Sequence, residues 1–168
     1  MNLAAPPAGA AAGSVMVRST SAAETRALAA RMATVAEPGD RLALLGPLGA
    51  GKTEFAKGFA VGLGVTETVD SPSFTLMAEY AGRLPLFHLD LYRLATTQEA
   101  IEGGLLDERE GEGVTLIEWA ERLEASLDPG RLEVRLTILD DDQRDIEVVA
   151  AGTSQLRYLE TAVGVSRR

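Results

Sequence analysis

No cysteine occurs in the sequence and only one histidine, so a disulfide framework and a thiolate metal site are excluded and a zinc centre has little scope. Basic residues are also scarce: 16 Lys and Arg face 25 Asp and Glu, a net charge of -9 that repels a polyanion unless the cations cluster on one face. The chain alone is therefore a poor candidate for gripping nucleic acid. No apolar run approaches the roughly 18 residues needed to cross a bilayer. Residues Met1 to Ser14 are almost entirely Ala, Pro and Gly and carry no Lys or Arg for the basic region of a signal peptide. They read as a disordered tail, and the cytoplasm is the default location. What the sequence does hold is 46% hydrophobic residues in 168 positions, enough for the core of one compact domain.

Ser21 and Glu24 have the spacing of a capping box, and Leu28, Met32 and Val35 follow at helical intervals, which predicts a helix to about Ala36. Pro38-Gly39-Asp40 makes a turn, and Arg41 to Leu45 is a short apolar run of the kind that fills a buried parallel strand. After a glycine-rich loop, Phe55, Phe59 and Leu63 recur every fourth residue from Lys52, with Gly62 and Gly64 offering a left-handed stop. Thr75 to Tyr80 and Leu84 to Leu89 read as a hairpin about Ala81-Gly82-Arg83, and a second capping box at Thr96 opens a short helix that Gly103-Gly104 ends. Val114 to Ile117 is a second buried strand, and Trp119 to Leu127 is helical in pattern. Arg131 to Leu139 and Asp145 to Ala150 form another hairpin, and Thr153 or Ser154 caps a final helix. Mixed strands with interleaved helices indicate a three-layer α/β domain with a partly parallel sheet and antiparallel hairpins over residues 15–152, flanked by the tail at 1–14 and a C-terminal helix and tail at 153–168.

The loop between the first buried strand and its helix, Gly46-Pro47-Leu48-Gly49-Ala50-Gly51-Lys52-Thr53, matches the P-loop pattern G-x-x-x-x-G-K-[ST] at every fixed position. The glycines let backbone N–H groups turn onto phosphates, the following helix adds its positive end, Lys52 supplies a mobile charge and Thr53 offers a hydroxyl to magnesium. The expected ligand is ATP with Mg2+, contacted by Gly46, Leu48, Gly49, Ala50, Gly51, Lys52 and Thr53. A bound triphosphate and its cation also need an acid at the end of a neighbouring strand. Two qualify, Glu118 after Val114 to Ile117 and Asp90 after Pro85 to Leu89, and Glu118 has the better buried-strand context. For Asp90 the competing reading is a salt bridge to Arg93.

Ser71-Pro72-Ser73-Phe74-Thr75 reads either as a hydroxyl-bearing switch near the γ-phosphate or as an ordinary polar turn. His88, inside an apolar stretch, fits a hydrogen-bonded core residue better than a catalyst or ligand. Trp119 is open between packing and stacking on a base or partner, and Arg144, after an acidic turn, reads most simply as a solvated charge.

Taken in order, the P-loop at 46–53, Ser-Pro-Ser-Phe-Thr at 71–75, His-Leu-Asp-Leu-Tyr-Arg at 88–93 and Leu-Ile-Glu-Trp at 116–119 resemble the TsaE family, bacterial P-loop ATPases of tRNA threonylcarbamoyladenosine biosynthesis. The resemblance spans about Ser21 to Ala150. It implies a P-loop NTPase fold and a Mg-dependent ATPase that joins the partner proteins TsaB and TsaD, TsaD performing the transfer to N6 of adenosine 37. The tRNA is then reached only through the complex. It further implies that Thr53 and Glu118 serve magnesium, that Asp90 belongs to the nucleotide site with Lys52 and Glu118 in catalysis, and that Ser73 and Arg144 lie near nucleotide. Ser73 stands where the family usually has Thr, and Ala120 where it often has Pro. Two other readings stay open, a nucleotide-gated assembly factor that need not turn over and a small-molecule kinase on the same cradle; for the latter, Arg83, Arg93, Arg109 and Arg122 are too scattered to form a lid.

Overall fold

Short, apolar segments set the centre of the sheet. In the computed structural model, which describes residues 11–72, 76–93, 111–122 and 130–164, β2 (Arg41–Leu45) pairs in parallel with both β5 (Val114–Glu118) and β6 (Leu132–Ile138), and β5 pairs in parallel with β4 (Leu86–Asp90). Every residue of β4 and β5 is buried, as strands covered on both faces require. Antiparallel strands flank this centre: β3 (Met77–Tyr80) on β4, β7 (Arg144–Ala150) on β6, and β1 (Gly13–Ser19) on β7. Among the described residues the order is β1-β7-β6-β2-β5-β4-β3, the mixed α/β sheet expected.

Strand alternation divides the core. Leu42, Leu44, Leu86, Val114 and Leu116 join the large apolar cluster with α1 (Ala22–Ala33), α2 (Lys52–Gly62) and α3 (Leu156–Ala162). Ala43, Phe87, Leu89 and Ile117 form a smaller cluster on the opposite face. His88, Asp90 and Glu118 continue the series of Leu86 and Leu116, so they fall on the α2 side of the sheet.

At α1 the Ser21 hydroxyl accepts from the Glu24 amide at 3.1 Å, and the Glu24 carboxylate accepts from the Thr20 amide at 2.6 Å, one residue earlier than a symmetric capping box. The helices α1 and α2 pack closely because α2 turns small residues toward α1. A Cβ on Gly58 would collide with the Arg26 carbonyl, and one on Gly62 with the Ala30 carbonyl. Gly62 is thus a packing residue inside the helix, not the expected stop; the left-handed position is Gly64, with φ 81°. Asp40 fastens α3 to the turn before β2, accepting from the Glu37 amide at 2.9 Å, from Arg157 at 2.5 Å and from the Tyr158 hydroxyl. Burial, and then the bond to Asp40, raise the Tyr158 pKa, so the phenol remains a donor.

Three sequence expectations need correction. Gly13 and Ser14, read as tail, already belong to β1, where they pair with Ala150 and Val149. Neither Thr153 nor Ser154 caps the last helix: they lie in a 3-10 turn, Thr153–Gln155, and Gln155 occupies the cap position of α3 without a side-chain cap bond. Its amide is used elsewhere, accepting from Ala151 N at 2.7 Å and donating to the Gly130 carbonyl. Trp119 is not helical but left-handed, φ 58°, and only a 3-10 turn, Ala120–Arg122, follows it among the described residues. The helix expected from Thr96 to Gly103 and the remainder of the one ending at Leu127 lie outside the described residues, as do residues 1–10 of the tail.

Gly62→Ala is expected to lower stability by about 1–2 kcal/mol, because overpacking against backbone outweighs a helix-propensity gain of up to about 1 kcal/mol. Urea unfolding reads this as a lower midpoint at unchanged slope; a raised midpoint would contradict the tight α1–α2 contact.

Candidate functional site

The loop that follows β2 is built on three glycines with positive φ. Gly46, φ 152°, passes so near β6 that a Cβ would lie 2.6 Å from the Leu136 carbonyl oxygen. Gly49, φ 81°, faces open space, so its backbone angle alone favours glycine. Gly51, φ 103°, is the N-cap of α2 and provides no side chain to satisfy the helix amides. The first turn of α2 therefore presents its N–H groups and positive dipole end to the loop interior.

Lys52 opens α2 and is 5% exposed. Its ammonium donates to the Gly46 carbonyl, and to that of Pro47 at 3.4 Å, and lies 3.4 Å from the centroid of the Trp119 ring. Burial lowers its pKa, against the opposing pull of Glu121, Glu118 and Asp90. Trp119 reaches it from the left-handed backbone noted above, a conformation that costs on the order of 1–3 kcal/mol and collects at functional sites. The indole also packs against Tyr92 in a tilted arrangement, ring centroids 4.9 Å apart and planes at 50°. Of the two readings open for Trp119 the structure shows packing, against the smaller apolar cluster and Tyr92, and adds a contact with the P-loop lysine that neither reading contained.

Asp90 and Glu118 are the last residues of adjacent parallel strands and stand directly in register. Glu118 Oε1 accepts from the Thr53 hydroxyl at 2.9 Å, and Oε2 lies 2.6 Å from His88 Nε2. Asp90 accepts from the Ser71 hydroxyl and from the Tyr92 amide at 2.9 Å. The one histidine is thus both a core residue, fully buried, and a partner of a site carboxylate. A residue two places before Asp90 on the same strand face was the available signal for it.

Arg144, the first residue of β7, is no solvated charge. Its guanidinium donates to the carbonyls of Gly49 at 3.1 Å and Ala50 at 3.2 Å, and to those of Asp140 at 2.7 Å and Gln143 at 2.9 Å. It tethers the P-loop to the β6–β7 turn. Ser73 lies outside the described residues; Ser71 of the same segment lies at the cleft.

Leu48, Gly49, Ala50, Gly51, Lys52 and Thr53 line a cleft of about 430 Å³ together with Asp90 and Glu118, within the range of small-molecule sites. Its chemistry suits a phosphate chain: unsatisfied helix amides, one ammonium and no bulky side chain at Gly49. A hard cation also fits. Because Thr53 gives its proton to Glu118, its oxygen lone pairs remain for a metal. Among the described residues no group of three or more His, Cys, Asp or Glu could hold a metal alone, and a magnesium ion that takes phosphate oxygens and waters needs few protein ligands.

The family model described as threonylcarbamoyl adenosine biosynthesis protein TsaE matches residues 19–146. The chain is similar to the tRNA threonylcarbamoyladenosine biosynthesis protein TsaE of Bacillus subtilis, 46% identical over 136 residues, 80% of this chain and 85% of that protein. Its counterpart of the same name in Treponema pallidum is 42% identical over 130 residues, 77% of this chain and 96% of that one. The crystal structure of Bacillus subtilis YdiB matches with a TM-score of 0.73 and 39% identity, covering 90% of this chain and 95% of that chain.

Arg144→Ala is expected to cost about 1–2 kcal/mol, the charge-assisted bonds to carbonyls being discounted for partial exposure. Arg144→Lys should recover less than half of that, since a point charge cannot bridge the P-loop and the 140–143 turn as a planar fork does. Urea midpoints measure both; a lysine variant equal to wild type would show that only the charge matters.

Proposed function

Since the chain belongs to the TsaE family of threonylcarbamoyl adenosine biosynthesis proteins, we propose that it binds ATP with magnesium on the 46–53 loop and hydrolyses it, so driving the modification of adenosine 37 in tRNA. The observation that carries this reading is the hydrogen bond from Thr53 to Glu118, which joins the start of the P-loop helix to the end of a buried neighbouring strand.

Each residue has a definite task on this reading. The amides of Gly49, Gly51, Lys52 and Thr53 bind phosphate oxygens, and Lys52 balances charge as it moves from the γ-phosphate to the leaving oxygen. Thr53 and Glu118 hold the cation, which when bound neutralises the triphosphate. Asp90, fixed by Ser71 and the Tyr92 amide, orients water at the metal side or the attacking water. Arg144 acts on the nucleotide through the loop it tethers, and Ser73 acts from the 71–75 segment as the γ-phosphate switch.

TsaB and TsaD are the proposed partners, with TsaD performing the transfer. The net charge of -9 favours reaching tRNA through them, not by direct contact. Among the described residues no helix is long and apolar enough to cross a membrane, and the cytoplasm is the proposed location. Hydrolysis and nucleotide-gated assembly are compatible, because closure of the 71–75 segment on ATP would create or dissolve an interface.

Lys52→Ala should lower ATP turnover, measured with both partners present, by about 100- to 1000-fold. Turnover at the wild-type rate would exclude the loop as the hydrolytic site.

A further inference from the structure

His88 sits in the middle of β4 and is completely buried. Its Nε2 lies 2.6 Å from Glu118 Oε2, whereas Nδ1 has no hydrogen-bond partner among the described residues. A carboxylate only accepts, so Nε2 carries the hydrogen and donates, leaving the Nδ1 lone pair unsatisfied. An unpaired buried acceptor is destabilising, and an aliphatic side chain at this core position would avoid that cost. What the imidazole does that a leucine could not is hold the Glu118 carboxylate.

The strand register explains how it reaches. Asp90 is level with Glu118, and His88 is level with Leu116, one step back on the same sheet face. From there the ring extends forward to Oε2, leaving Oε1 for the Thr53 hydroxyl, 2.9 Å away. With both oxygens committed, the flexible glutamate chain is restricted to one arrangement, saving the rotamer entropy that cation binding would otherwise have to overcome.

We propose that His88 is a positioning residue for Glu118, fixing the carboxylate so that the Thr53–Glu118 pair is preformed for the divalent cation of the nucleotide complex. The inference rests on the reading of Glu118 as the metal-side acid. No proton moves in this role; the imidazole donates one hydrogen bond and keeps it.

The test is Mn2+ affinity for the ADP complex, read by electron paramagnetic resonance, beside ADP affinity in EDTA and thermal unfolding. His88→Leu should weaken Mn2+ binding about 10- to 100-fold while ADP affinity in EDTA stays as in wild type. His88→Gln, whose terminal amide reaches the same place, should restore most of the loss. The double variant His88→Leu/Glu118→Ala should bind Mn2+ no more weakly than Glu118→Ala. A folded His88→Leu with wild-type Mn2+ affinity overturns the inference, as do losses that add in the double variant. If Glu118→Ala itself leaves Mn2+ binding intact, the reading of the site falls and the inference with it; if Glu118→Ala weakens binding and His88→Leu does not, the inference alone falls. Should His88→Leu fail to fold, His88→Asn, whose amide stops short of Glu118, takes its place: Mn2+ affinity equal to that of His88→Gln overturns the proposal, and a weaker one supports it.

Discussion

The hydrogen bond between Thr53 and Glu118 is the constraint around which the site is organised, because its two ends belong to different structural units. Thr53 lies in the first turn of α2, and α2 is placed by the close approach of Gly58 and Gly62 to α1. Glu118 ends β5, which lies between β2 and β4 in the sheet. The bond exists only if helix and strand end are both in position. Gly46 serves the same end, since its lack of a Cβ lets the chain leave β2 directly beside Leu136. Precision of this kind matters, as misplacement by about 1 Å can cost on the order of a hundredfold in rate.

Charge is distributed unevenly about that bond. Two buried carboxylates, Asp90 and Glu118, end neighbouring strands on one side, while the helix amides and Lys52 face them from the other. In a net acidic chain this gives one cleft both a positive wall for phosphate and an acidic wall for a cation. Arg144 strengthens the positive side indirectly, by binding the Gly49 and Ala50 carbonyls and so holding the loop to the β6–β7 turn. Trp119 closes the arrangement by covering the Lys52 ammonium, at the cost of an unfavourable backbone angle.

The parts of the fold most legible in the sequence were local. β2, the P-loop, α2 and β5 each occupy a few consecutive residues whose apolar spacing or glycine pattern is self-contained, and Glu118 follows from them as the acid at the end of a buried run. What escaped was set by distant partners. β1 alternates, with Val15 and Val17 partly buried and Met16 exposed, yet among the described residues its only ladder is with β7, some 130 residues on, and nothing nearby announces it. Gly62 has the local pattern of a helix stop, whereas its role depends on Ala30 of another helix. The side-chain amide of Gln155 is taken up by Gly130 and Ala151 and not by the helix start, and His88 joins the site only through the alignment of β4 with β5. Arg144 reads as solvated from its acidic neighbours because its acceptors are main-chain carbonyls of the P-loop and the 140–143 turn, which no side-chain pattern reveals.

The central claim is that Thr53 and Glu118 together make the cation side of a nucleotide site, and calorimetric titration of ADP into wild type and Thr53→Val, with and without magnesium, tests it most directly. Valine keeps the shape and removes the hydroxyl. Both proteins should bind ADP 1:1 in EDTA with similar affinity, and wild type should show a magnesium-dependent gain of affinity that disappears in Thr53→Val. A gain of equal size in the two proteins would contradict it.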